Sequence, residues 1–427
     1  MSPRRTIAVV AVAATAVLVV IVGLRMRVDN RKSGSTDDLQ RRFDMLRSVP
    51  YTSVSDEPVT ADRTGVTVNS RDKAYGGYNL YCSEVSPAAF LMDMEGNVVH
   101  RWEYSTGRTR RWTWAYAIML ANGDLVVVDR PKNLMRLDWD SNLLWIREME
   151  VHHDIAELPD GSLLVTDRET WRHRGVLVRF PAIVRVSGEG EEMERWSAYE
   201  HLDEIKQAFD QRSFLDGILD SLIAAGEPPE VDEKTPGRVE FYKKDGEILY
   251  DYFHMNTISI IPYNILGARD PRFAAGNLLI CFRNVNQIAV LEKDTKEILW
   301  VWGEGVLEWP HHPTMLENGH ILLFDNGIKR RYSRVLEIDP VTGNFEWQYI
   351  GDPPESFYSA FKGSAQRLPN GNTLICDSEA GRAFEITPAG EIVWDWWNPD
   401  MLRIRRVQVY RMTRLPAEKV EPLLKGA

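Results

Sequence analysis

Cysteine is scarce. Three residues, Cys82, Cys281 and Cys376, in a chain of 427 exclude a disulfide framework and a cysteine-based zinc site. Their odd number leaves at least one thiol free or paired between chains. A surplus of positive charge is also missing. With 51 Lys+Arg against 62 Asp+Glu the net charge is −11, the wrong sign for a partner with a nucleic-acid backbone. The bulk composition, 44% hydrophobic and 26% charged, excludes a disordered, collagenous or coiled-coil chain. The length admits about two to four ordinary domains or one large repeat architecture. What the chain has in quantity is tryptophan, 14 residues of it, and most of these recur at regular intervals.

The first segment reads as a membrane span. Ile7 to Leu24 carries no charge and follows Arg4 and Arg5. As a helix it would measure about 27 Å, enough for a hydrocarbon core. No small-x-small cleavage site follows it, so residues 1–27 are expected to be an uncleaved signal anchor. Arg25, Arg27, Arg31 and Lys32 compete with Arg4 and Arg5 in setting orientation. The expectation is a single-pass protein with its large domain on the periplasmic or extracellular side. Residues 28–72 are polar and lack steady periodicity, and read as a flexible tether.

Beyond the tether one phrase repeats. A short apolar strand leads to a Leu-x-x-Gly turn, at Leu120–Gly123, Leu158–Gly161, Leu316–Gly319 and Leu368–Gly371, with a variant ending at Gly276. A β-rich strand follows each turn: LVVVD, LLVTD, LLICF, ILLFD and TLICD. Asn-Gly and Asp-Gly provide the positive φ that tight hairpins need. Each unit then closes on a tryptophan, namely Trp102, Trp145, Trp196, Trp300, Trp347 and Trp394. Six such units predict an all-β protein, a six-bladed β-propeller over residues 73–400, with the tryptophans filling the space between blades. An insertion at 198–247 carries a helical pattern from His201 to Ala225, and an arginine-bearing tail, 401–427, is expected to clasp the ring or pack under it.

Register arithmetic gathers the polar residues. His153 and His311 each lie eight residues before a turn glycine. Arg130, Arg168, Arg283, Asn326 and Ser378 each lie seven after one. In a hairpin those positions are neighbours at the end away from the turn. The first strand of a blade lines the channel, so His153, Arg168, Arg283, His311 and Asn326 are expected at one mouth. His254 opens the first strand of another unit and is expected to join them, although its offset from Gly276 is 22 and requires an inserted loop. Histidine also occurs there as pairs, His152-His153 and His311-His312. Three readings fit: histidines that satisfy strand-end backbone groups, a metal site of several imidazoles, or a nucleophilic imidazole with arginine neutralising the oxygens of a transferred anionic group.

The phrases HHDIAELPDG (152–161), FHMNTISIIP (253–262), ICFRNVNQIAVLEKDTKEILWVWG (280–303), HHPTMLENGHILLFDNG (311–327) and GSAQRLPNGNTLICDSEAGRAFEITPAGEIVW (363–394) resemble the bacterial arylsulfotransferase family. The resemblance covers roughly residues 75–397. It implies a six-bladed propeller that moves a sulfuryl group from a phenolic sulfate ester to a phenolic acceptor through a sulfated histidine, with no cofactor. It assigns the nucleophile to His311, or to its neighbour His312 on a one-residue shift. It matches the family's other histidines to His153 and His254 and its arginine to Arg283. Arg168 and Asn326 are expected to assist. His312 stands where the family often has Asp or Thr. The implied partners are a small-molecule aryl sulfate and a phenol, the membrane through the N-terminal helix, and no nucleic acid; a homo-oligomer is compatible with the sequence. The competing classes are a non-catalytic propeller that scaffolds a membrane complex, and a His-ligated metal enzyme.

Overall fold

The computed structural model describes residues 54–426 apart from 61–62, 108–113, 131, 210–216, 218, 221–239, 245–246 and 403. The chain divides into two compact units, Met1–Thr52 and Ser53–Ala427. The first lies outside the described residues, and with it the expected signal anchor and the span 7–24. Among the described residues no helix is long and apolar enough to cross a membrane.

The second unit is built almost wholly from antiparallel strands, in six consecutive sheets of four to six strands and one small three-stranded sheet. The second sheet holds Trp114–Met119, Leu125–Asp129, Asn133–Leu137 and Leu143–Glu148. The fourth holds Met255–Ile260, Leu278–Phe282, Gln287–Leu291 and Ile298–Trp302, and the fifth holds Pro310–Met315, Ile321–Asp325, Arg334–Ile338 and Phe345–Ile350. Each runs up and down in chain order. Gly123, Gly161, Gly319 and Gly371 take φ between 81° and 90°, and each donates its N–H to the Leu carbonyl three residues back, which closes the turn.

The continuous apolar strands follow from sheet stacking. In Leu125–Asp129, Leu125 and Val127 pack with the first sheet while Val126 and Val128 pack with the third. In the fourth sheet Leu278, Ile280 and Phe282 face the third, and Leu279 and Cys281 face the fifth. Both faces of such a strand are buried, so alternation of polar and apolar residues is lost. At about 1.5–3 kcal/mol for each fully buried aliphatic side chain, the strand order is held by these faces. Six apolar clusters occupy the six successive interfaces, and the one between the sixth sheet and the first closes the ring. Each cluster contains or is packed by one of the six closing tryptophans. Three of these donate their indole N–H to a turn of the following sheet: Trp145 to Gly188 O, Trp347 to Pro388 O and Trp394 to Met94 O, at 2.8–2.9 Å. This is a β-propeller.

Three expected boundaries move. The propeller does not stop at residue 400: Met412–Leu415 pairs with Tyr78–Cys82 and is the edge strand of the first sheet beside Tyr78–Cys82, Ala88–Met92 and Val98–Glu103. The tether 28–72 is not flexible throughout. Gly65–Asn69 adds a strand to Ile392–Trp397 of the sixth sheet, where Val66 packs into the closing cluster, and Val54–Pro58 pairs with Arg405–Val407. Among its described residues the insertion 198–247 is partly helical. A helix, Leu202–Ala208, buries Leu202 and Ile205 at the interface of the third and fourth sheets, and Gly217, Leu219 and Asp220 are also helical. It ends in a hairpin, Glu240–Lys244 with Glu247–Asp251, whose second strand runs parallel to Leu177–Arg179. The third sheet's middle strands, Leu163–His173 and Val176–Val186, are long enough to receive it.

Candidate active site

The first strands of the units contact one another around the axis, and side chains lace them together. Asp154 Oδ2 accepts from Ile258 N at 3.2 Å, Asn256 Nδ2 donates to Pro310 O at 2.9 Å, and Thr257 Oγ1 accepts from His312 N at 3.0 Å. Gln366 and Arg414 exchange two bonds between the sixth sheet and the closing strand, and Arg411 Nη1 meets Asp154 Oδ1 at 2.8 Å. The histidines stand within this belt, at the strand ends remote from the turn glycines.

His311 and Asn326 face one another across the hairpin, with His311 Nδ1 2.7 Å from Asn326 Oδ1 and 3.1 Å from Trp309 O. Asn326 Nδ2 donates to Ser359 O and Lys362 O, at 2.6 and 2.7 Å, which turns its carbonyl oxygen towards the imidazole. Both neighbours of Nδ1 are therefore acceptors. By this assignment Nδ1 carries the hydrogen and the lone pair lies on Nε2. Nε2 is buried and has no hydrogen-bond partner among the described residues. Burial, and after it the Arg283 guanidinium, hold the His311 pKa down to about 3, so the ring is neutral at physiological pH.

His153 and His254 form a pair. Their Nε2 atoms are 2.8 Å apart, His254 Nδ1 is 2.9 Å from Asp251 Oδ2, and His153 Nδ1 is 2.7 Å from Tyr410 Oη. Burial first, then His254, Arg130, His311 and Arg283, lower the His153 pKa well below the ordinary value. Arg283 is fully buried, with its guanidinium 4.5 Å from the centre of the Trp309 ring. His254, Trp309 and His312 take φ of 50°, 57° and 50°, a left-handed backbone that non-glycine residues adopt at a cost of about 1–3 kcal/mol each and that clusters at functional sites.

The structure thus brings His153, His254, His311, Arg283 and Asn326 together. It sets His312 apart. A bulge between His311 and Thr314 turns His312 towards the sixth sheet, where its Nδ1 lies 3.0 Å from Ala365 O. Arg168 acts on His152, whose pKa falls through burial first and Arg168 second. The His254 offset has a plain cause: residues 262–275 are inserted before Gly276, which donates to Ile261 O. Counted from Ile261, the register position of His153 and His311 belongs to Asn256, and His254 lies two residues earlier beyond a bulge. Three participants were missed. Asp251, three residues before His254 and buried, could have been noticed as a carboxylate orienting an imidazole. Tyr410 and Arg411 come from the closing segment and carry no such signal.

His152, His153 and His254 offer three nitrogens within 4.8 Å of one another, the one such grouping among the described residues. They do not fit a metal as they stand. Ligands of a tetrahedral zinc with bonds of about 2.05 Å lie about 3.3 Å apart, whereas the two Nε2 atoms are at 2.8 Å and make a hydrogen bond. The Arg130 and Arg168 guanidinium groups near these rings oppose a dication, and the carboxylate of Asp251 beside them is engaged by His254 Nδ1.

The sequence profile of the arylsulfotransferase (ASST) family matches residues 116–399. The chain belongs to that family. The match includes His153, His254, Arg283, His311 and Asn326 but ends before Tyr410. No curated protein sequence matches the chain. Among solved structures it is similar to a protein of unknown function from Bacteroides caccae (13% identity, 79% of this chain and 100% of that one, TM-score 0.46). It is also similar to virginiamycin B lyase from Staphylococcus aureus (9%, 81% and 88%, 0.42) and to the Myceliophteria thermophila Cps50 (Swd1) β-propeller domain (12%, 83% and 98%, 0.41). Family membership supports a transferase, with aryl sulfates and phenols as the substrates the family implies.

Proposed function

We propose that this protein is an aryl-sulfate sulfotransferase that works by ping-pong transfer through a sulfohistidine on His311, and that its six sheets are the six blades of the propeller. One observation carries the reading: His311 Nδ1 faces two acceptors, Asn326 Oδ1 and Trp309 O, while its buried Nε2 has no hydrogen-bond partner among the described residues. In the first half-reaction Nε2 attacks sulfur, the S–O(aryl) bond breaks, and its electron pair leaves with the phenolic oxygen. In the second, an acceptor phenol gives up its proton, its oxygen attacks sulfur, and the S–N pair returns to Nε2. Positive charge that develops on the sulfated ring is met by Asn326 Oδ1 and Trp309 O. Arg283 neutralises the sulfuryl oxygens. His153 and His254 handle the phenolic proton, with Asp251 orienting His254 as a carboxylate orients the histidine of a hydrolase triad. His312, bonded to Ala365 O, is structural in this scheme.

His311 Nε2 is sealed from solvent, so side chains at the mouth must move when a substrate enters. The segment before the propeller anchors the protein in a membrane, with the propeller on the periplasmic or extracellular side.

Intact-protein mass spectrometry of the full chain with a chromogenic aryl sulfate tests the mechanism. The expected result is a sulfuryl adduct that maps to His311, is discharged by a phenol and is absent from His311→Asn. An adduct on another residue, or turnover retained by the His311→Asn, His312→Asn double variant, would overturn it. A folded wild-type protein with neither adduct nor turnover would favour the scaffold reading.

A further inference from the structure

The closing segment does more than complete a sheet. Its residues 410 and 411 sit against the site: Tyr410 Oη is 2.7 Å from His153 Nδ1, and Arg411 ties Asp154 to the inner belt. The result is a continuous chain of four groups, Tyr410, His153, His254 and Asp251, all buried. Its direction follows from its acidic end. A carboxylate accepts only, so His254 holds its hydrogen on Nδ1. Placing one hydrogen on each ring makes His254 Nε2 an acceptor, so that His153 Nε2 carries a hydrogen and His153 Nδ1 accepts from the Tyr410 hydroxyl.

Resting on the sulfotransferase reading, we propose that Tyr410 is the proton reservoir of the reaction, acting through His153 as a positioning residue that never touches the substrate. As the S–O(aryl) bond breaks, the leaving phenolic oxygen replaces His254 Nε2 as the partner of His153 Nε2 and takes its proton. The Tyr410 proton moves to His153 Nδ1 in the same step, leaving His153 neutral and Tyr410 as a phenolate. In the second half-reaction the acceptor phenol returns a proton to Nε2, and Nδ1 returns its own to Tyr410, so protons balance over the cycle. The chemistry is matched in kind: one phenol supplies the proton that another phenol needs. Two cations stand by the Tyr410 ring to stabilise its phenolate form, with the Arg130 guanidinium 5.5 Å and that of Arg411 5.8 Å from its centre. The geometry also commits this enzyme to an intact C-terminus, because the proton source arrives on the segment that closes the ring.

The test is Tyr410→Phe, which keeps the ring and removes the hydroxyl. With phenyl sulfate as donor, kcat should fall about ten- to hundredfold while KM stays within about twofold. With 4-nitrophenyl sulfate, whose leaving group needs no proton, the loss should be several-fold smaller. Equal losses with both donors, or none, overturn the proposal. A second readout does not depend on turnover: nitrogen-15 spectra of histidine-labelled protein should show His153 as the Nε2–H form in the wild type, with its Nδ1 resonance shifting to that of an acceptor without a donor in Tyr410→Phe. An Nδ1–H form in the wild type overturns the relay even if the enzyme is active. The expected shift in a protein that turns over no aryl sulfate would keep the relay and dispose of the substrate assignment.

Discussion

Replacing His311 by Gln should remove about one proton from the uptake that accompanies unfolding at pH 5. The folded ring has its pKa pushed down to about 3 by burial and by Arg283, while an unfolded histidine titrates near 6.5. At pH 5 the unfolded side chain is about 97% protonated and the folded one about 1%. The sign follows: the unfolded state binds more protons, so the His311 contribution is complete above about pH 6.5 and is lost as pH falls towards about 3. The slope is about 1.4 kcal/mol per pH unit, and over the whole window it amounts to about 5 kcal/mol. His152, His153 and His312 are shifted the same way by burial, so these groups should add to the proton uptake of both proteins alike. The assay is a pH-stat titration during unfolding by guanidinium at pH 5, wild type against His311→Gln. Equal uptake by the two proteins would mean that His311 is already protonated when folded. It would then have no lone pair to offer sulfur, and the nucleophile assignment would fall with it.

Two further outcomes follow from the same contacts. Asn326→Leu takes away the nearer of the two acceptors at His311 Nδ1 and one of the two side-chain donors to each of Ser359 O and Lys362 O; a loss of about 1–3 kcal/mol in urea unfolding is expected, with kcat reduced at least tenfold. Deleting residues 412–427 strips the edge strand from Tyr78–Cys82 and removes buried Met412 and Leu415. At about 1.5–3 kcal/mol for each of those side chains, and with the ring open, rapid proteolysis under conditions where the full chain resists is the expected result.

The legible parts of this protein are those encoded within one hairpin. Stretches such as LVVV (125–128) and LLICF are apolar at every position because each face meets a different sheet, and a Gly at φ near 90° marks each return. The contact of His311 with Asn326 is also local, since eight residues before and seven after a turn lie close together in one hairpin, and the bulge between His311 and Thr314 does not part them. Where a loop is inserted before the turn glycine, counting from that glycine gives the wrong residue. In the fourth unit the position equivalent to His311 is Asn256, and His254 reaches the site only through a bulge and a left-handed backbone.

Contacts between distant parts of the chain left no such trace. The strand Met412–Leu415 has no turn phrase of its own, and its partner Tyr78–Cys82 lies at the other end of the propeller, so nothing local distinguishes it from an ordinary tail. The same holds for Gly65–Asn69, which reads as tether and pairs with Ile392–Trp397. Ring closure is a requirement on the whole set of sheets: six interfaces need six clusters, and the last can form only if the two ends of the propeller meet. Tyr410 inherits that illegibility. Its hydroxyl reaches His153 because the strand after it is committed to the first sheet, and Arg411 fixes the approach by pairing with Asp154 on the third. Closure and proton supply are therefore one structural event. A chain whose ring has not closed has the proposed nucleophile in place, because His311, Asn326 and Trp309 belong to a single unit, but it lacks the hydroxyl that meets His153 Nδ1.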